Sequence, residues 1–117
     1  MIRLPAQVRV FVCRAPTDMR KSFDGLAGLV ESAFTEDLLS GHLFVFFNRR
    51  RDRVKILYFD VDGLAIWQKR LEAGTFQALD AACEHDSLEI TASELALLLE
   101  GVDLASVRRR KRWRRSA

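Results

Sequence analysis

Proline, cysteine and histidine are scarce in this sequence, with two of each in 117 residues. The two thiols, Cys13 and Cys83, stand seventy positions apart, and His85 beside Cys83 is too little for a metal site. That excludes a zinc-ligand spacing and a disulfide-stapled scaffold, so free thiols in a reducing compartment are expected. No Ser/His/Asp or Cys/His pattern and no phosphate-cradling glycine loop occurs. No run of about eighteen apolar residues is present, so no membrane span is expected. Met1 to Pro5 lack the apolar stretch of a signal peptide, and the expected location is the cytoplasm, in association with the nucleoid. No cofactor and no metal is called for.

What remains is apolar and charged. Hydrophobic residues make up 49% of the chain, enough for the core of one domain. Lysine and arginine number 19 against 16 acidic residues, for a net charge of +3. The excess is concentrated in one run: Arg108, Arg109, Arg110, Lys111, Arg112, Arg114 and Arg115. Without those seven, acidic residues outnumber basic ones. An acidic body with a cationic arm points to a polyanion or an acidic protein surface as partner.

The organising stretch is Ser40 to Phe76. Leu43 to Phe47, Val54 to Phe59 and Leu64 to Trp67 are aromatic and β-branched runs separated by polar turns, which predicts an antiparallel three-stranded meander. In the turn from Asp60 to Gly63, the glycine is expected to take the positive φ that a tight hairpin requires. Leu43, Val45 and Phe47 should face one way, and Phe44 and Phe46 the other. Both faces are apolar, so a single helix cannot cover the sheet. The second face needs the C-terminal segment, a second copy or another protein.

Val8 to Cys13 reads as a first strand. Thr17 or Asp18 is expected to cap a helix whose stripe is Met19, Phe23, Leu26, Ala27, Val30, Ala33 and Phe34. Leu88 to Ile90 reads as a short strand. Thr91 and Glu94 have capping-box spacing, opening a helix that Gly101 stops. The expected fold class is α+β: a small antiparallel sheet of three to four strands, with a long helix on one face and a shorter C-terminal helix. Residues 1–107 form the expected domain, and 108–117 a flexible basic tail.

The tail carries the strongest chemical signal. Its cations can neutralise phosphates, and Trp113 can stack on a base; its bland reading is a solubilising tail. Arg49, Arg50, Arg51 and Arg53, with Lys55, make the tip of the first hairpin basic and can extend a nucleic-acid surface or simply blunt aggregation. Asp60, Asp62 and Glu72 are the one carboxylate set that suggests a Mg²⁺-dependent nuclease, although Asp-x-Asp-Gly is also ordinary turn chemistry.

Pro16 to Leu26 reads PTDMRKSFDGL. With Ser40 to Phe46, Lys55 to Asp60, Gly63-Leu64, Lys69 to Glu72, Gly74, Phe76 and Leu98 to Asp103, it resembles, in order and spacing, the TnpB (Orf2) accessory proteins of the insertion sequence 66 (IS66) family of bacterial transposable elements. The likeness covers about residues 5 to 104. It implies a non-catalytic factor of transposition, with the chemistry on a separate transposase. The signature positions matched are Asp18, Arg20, Lys21, Asp24, Lys55, Asp60, Lys69 and Arg70, and the resemblance gives none of them a role. The arginine run from Arg108 need not be shared by the family. The expected partners are DNA, from the basic groups, a second copy, from the second apolar face, and the transposase or another accessory protein of the same element, from the resemblance. A pure protein–protein adaptor, whose basic tail meets an acidic partner, is the alternative.

Overall fold

A computed structural model describes residues 7–79, 87–102 and Leu104. Five strands form one sheet in the order β4-β3-β2-β1-β5. They are β1 (Val10–Cys13), β2 (Leu43–Phe47), β3 (Arg53–Asp60), β4 (Gly63–Arg70) and β5 (Ser87–Ile90). Two helices accompany them, α1 (Phe23–Ala33) and α2 (Ala92–Leu99), with a 3-10 turn at Leu38–Ser40.

The meander forms as the sequence predicts. β3 pairs with β4 without interruption from Arg53↔Arg70 to Asp60↔Gly63, and β2 pairs antiparallel with β3. The sheet as a whole is larger than expected and mixed. β1 lies parallel to β2, Val10 opposite Leu43, and β5 is antiparallel to β1. A parallel neighbour requires a crossover, and α1 supplies it. A four-residue strand that is apolar throughout carries no pattern to specify its neighbour.

The expected long helix is also corrected. α1 has 11 residues and begins at Phe23. Residues 17 to 21 are tied to the sheet instead: the Thr17 N–H donates to the Phe47 carbonyl at 2.8 Å. The Lys55 ammonium donates to the Met19 and Lys21 carbonyls at 2.9 and 2.7 Å. Neither Thr17 nor Asp18 caps the helix; Ser22 holds the N-cap position without a side-chain bond. α2 does have the predicted capping box, Thr91 with Glu94, and Gly101 follows at φ 87°.

The two faces separate as alternation requires. Phe11, Phe44, Phe46 and Leu57 pack under Leu26, Val30 and Phe34. Val10, Val12, Val45, Phe47 and Ile56 pack under Leu95, Leu98, Leu99 and Phe76. The second apolar face is thus covered within the chain, by α2 and the segment after β4. The β3–β4 turn departs from expectation. Gly63 is an ordinary strand residue, and the positive φ falls on Val61, at 54° and 91% exposed. A β-branched residue there is strained.

Candidate nucleic-acid interface

The β2–β3 turn is built by one side chain. Asn48 Oδ1 accepts from the backbone N–H groups of Asp52 and Arg53 at 3.1 and 3.0 Å, and Asn48 Nδ2 donates to Asp52 Oδ1 at 2.6 Å. Asn48 mimics a backbone turn in this way, and the arginines are thereby sorted. Arg49, Arg50 and Arg53 are exposed, and Arg49 has no carboxylate partner among the described residues. Arg51, at φ 59°, is turned onto the α2 side. Its guanidinium lies 4.5 Å from the Phe47 ring centroid and donates to the Gln77 and Phe76 carbonyls at 2.7 and 3.4 Å. Burial pushes the Arg51 pKa down. Arg51 therefore works in the fold, and the exposed tip consists of the other three.

The register fixes a fourth cation. Arg53 sits opposite Arg70, and both line two adjoining concavities of about 410 and 450 Å³ on the α1 side of the sheet. The turn from Thr17 to Arg20 forms the opposite wall, with Met19 lining both hollows. Across the two hollows, Arg20, Arg49, Arg50, Arg53 and Arg70 face Asp18, Asp52 and Glu72. Cations outnumber carboxylates five to three.

The three carboxylates are locally engaged. Asp18 accepts three bonds from the Arg20 guanidinium and one from its backbone N–H. Those bonds, the guanidinium first, lower the Asp18 pKa to about 2. Asp52 is lowered chiefly by the Asn48 amide. Arg70 reaches Glu72 at 3.2 Å. Ion pairs this exposed are worth little to stability, but they leave Arg49 and Arg53 as the cations least offset. The arrangement suits a chain of phosphates rather than one small anion.

The other signature residues are placed elsewhere. Lys55 clamps the 17–21 turn, as above. Lys69 points to the α2 side, its ammonium 3.4 Å from the Leu99 carbonyl at the helix C-terminus, where a cation complements the dipole. Lys21 is exposed, and its aliphatic stem passes Gly25 so closely that a Cβ there would lie 3.1 Å away. Asp24 is in the first turn of α1. Asp60 ends β3 at the far hairpin. Asp62 shares that end, whereas Glu72 follows β4 at the other, about 23 Å away along an eight-residue strand. The carboxylate set that suggested a nuclease is thus split. Among the described residues no group of three His, Cys, Asp or Glu can hold a metal ion. The tail cations from Arg108 to Arg115, with Trp113, lie outside the described residues, as does Cys83; Cys13 is a buried thiol.

Sequence reasoning missed two members of this surface. Asn48 was not singled out, though an Asn at a strand end ahead of a charged turn is a local signal for such a bridge. Arg70 was a signature residue without a role. Counting back from a two-residue loop at Val61 and Asp62 would have placed it beside Arg53.

The family model described as IS66 Orf2 like protein matches residues 8–109. Two proteins of Sinorhizobium fredii (strain NBRC 101917 / NGR234) are similar. Uncharacterized protein y4jC is 34% identical over 103 residues, covering 88% of this chain and 86% of its own. Uncharacterized protein y4hO is 34% identical over 96 residues, covering 82% of each. No solved structure matches.

Proposed function

This chain belongs to the family of IS66 Orf2-like proteins, and from that premise we propose that it is a non-catalytic accessory factor of insertion-sequence transposition that grips the DNA backbone. The exposed β2–β3 tip and the signature turn would line one phosphate track, and the tail from Arg108 would extend it. The transposase and other accessory proteins of the same element are the proposed protein partners.

The observation that carries this reading is the shared concavity. Three separate segments, the turn at 17–20, the β2–β3 tip and the end of β4, bring five cations to one end of the sheet against three carboxylates. The neutralised phosphates would release counterions, so binding would depend steeply on salt and little on sequence. No helix of the described residues is long and apolar enough to cross a membrane.

The test is binding to a labelled terminal-repeat duplex and to a random duplex across a salt series. It compares the full chain, a chain ending at Val107, and the triple variant Arg49→Ala, Arg50→Ala, Arg53→Ala. The expected result is a log–log salt slope shallower by up to about 3 for the triple variant. Truncation should flatten it further. A full chain that binds neither duplex refutes the reading; capture of the transposase by that same chain would then favour an adaptor whose basic groups meet an acidic protein.

A further inference from the structure

The sheet has two edges, and they differ. β5 is four residues long, so it offers only a short edge. β4 has eight residues, pairs with β3 without a bulge, and contains no proline. Proteins usually blunt such an edge, and here the only blunting charges are Lys69 and Arg70, both at one end.

The direction of its free main-chain groups is fixed. Asn48 N–H donates to the Arg53 carbonyl, so Arg53 addresses β2; Leu71 N–H donates to the Asp52 carbonyl, so Asp52 addresses the strand after it. The even-numbered residues of β3 therefore bond the odd-numbered residues of β4. Leu64, Ile66, Gln68 and Arg70 are left with their N–H and C=O groups directed outward.

We propose that this edge is a homodimer seam, two copies pairing β4 against β4 antiparallel about a two-fold axis at Trp67. In that register outward groups meet outward groups: Ile66 lies opposite Gln68 of the second copy, and Leu64 opposite Arg70. Roughly eight main-chain hydrogen bonds form. The sequence suits self-pairing in this direction only. Leu64-Ala65-Ile66 precede Trp67, and Gln68-Lys69-Arg70 follow it. Antiparallel pairing lays each cationic end along the apolar end of its mate, where the Lys69 and Arg70 stems cover Ala65 and Leu64. Parallel pairing would stack like charges. The axis stands perpendicular to the sheet, so both basic concavities fall on the same face of a ten-stranded sheet, with the two Arg70 positions about 20 Å apart. The seam stands whether or not those concavities bind DNA.

An edge-only interface is at the small end of stable contacts, so a monomer–dimer equilibrium in the micromolar range is expected by sedimentation of the full chain. Cross-linking tests the register. In a background of Cys13→Ala and Cys83→Ala, Trp67→Cys places two thiols at a non-hydrogen-bonded pair, about 4.5 Å apart at Cα and within disulfide reach. Mild oxidation should give a covalent dimer. Lys69→Cys, on the same face but about 13 Å from its own mate, should not cross-link. Gln68→Pro removes an outward N–H and leaves the β3–β4 ladder intact, so it should sediment as a monomer with unchanged far-ultraviolet dichroism. A full chain that is monomeric throughout the micromolar range overturns the proposal. So does a folded Trp67→Cys that stays uncross-linked, or a Gln68→Pro variant that remains dimeric.

Discussion

Arg51 tests whether the sorting of the tip arginines is real, because four arginines stand within five residues and the structure assigns one of them a different task. Arg51→Ala removes a charge-assisted bond of 2.7 Å to the Gln77 carbonyl, a weaker one to Phe76, and a guanidinium at 4.5 Å from the Phe47 ring. A hydrogen bond from a charged donor contributes about 1.5–3 kcal/mol, and a half-exposed cation–π contact about 0.5–1 kcal/mol. Arg51 is half-buried, so the lower ends apply, giving about 2 kcal/mol. The positive φ does not alter this, because alanine is strained there as much as arginine. The segment held by these bonds carries Phe76, which is 3% exposed and 5.5 Å from Phe47 between ring centroids. Loosening it exposes core, so the loss should be global and cooperative. In urea and thermal unfolding, Arg51→Ala should lower the midpoint by roughly 6–12 °C. Arg49→Ala and Arg50→Ala should stay within about 0.5 kcal/mol of the parent. In the salt series the order should reverse, with Arg49 and Arg50 changing the slope and folded Arg51→Ala leaving it nearly unchanged. Equal stability in all three variants, or equal loss of DNA binding, would refute the sorting.

Further expectations follow from single positions. Gly28 is exposed inside α1, and a Cβ there would meet nothing within 4 Å; Gly28→Ala should stabilise by about 0.5–1 kcal/mol in urea unfolding. Gly25→Ala should gain less or lose, because its Cβ would press on the Lys21 stem. Val61→Asn should stabilise by about 1 kcal/mol, since it relieves a positive φ and uncovers almost nothing. Asp18 has a folded pKa depressed from 3.8 to about 2, so its contribution is complete above the unfolded value and is lost as pH falls through the folded one. Unfolding midpoints measured from pH 4 down to 2 should fall less steeply for Asp18→Asn than for the parent; an identical acid limb would contradict the pairing with Arg20.

Much of the architecture was legible because its causes are local. Aromatic and β-branched runs bounded by polar turns set β2, β3 and β4, and the two-residue period of a strand set the two faces of β2. Thr91, Glu94 and Gly101 marked both ends of α2, since capping depends on neighbours three residues apart. The signature from Pro16 to Leu26 pointed to the family that the whole-chain comparison shows. The rest was decided by contacts between residues distant in sequence. β1 chose a parallel place beside β2, which its own four apolar residues cannot encode. Lys55 shortened α1 by holding carbonyls thirty-four and thirty-six positions away. The same long-range pairing set Arg53 beside Arg70, turned Arg51 onto Phe47, and separated Asp60 from Glu72 by the length of a strand. Composition fixed how many charges this chain carries and how they run along it. Only the packing of the sheet decided which of them share a surface, because a side chain's direction follows from register and from the space its neighbours leave.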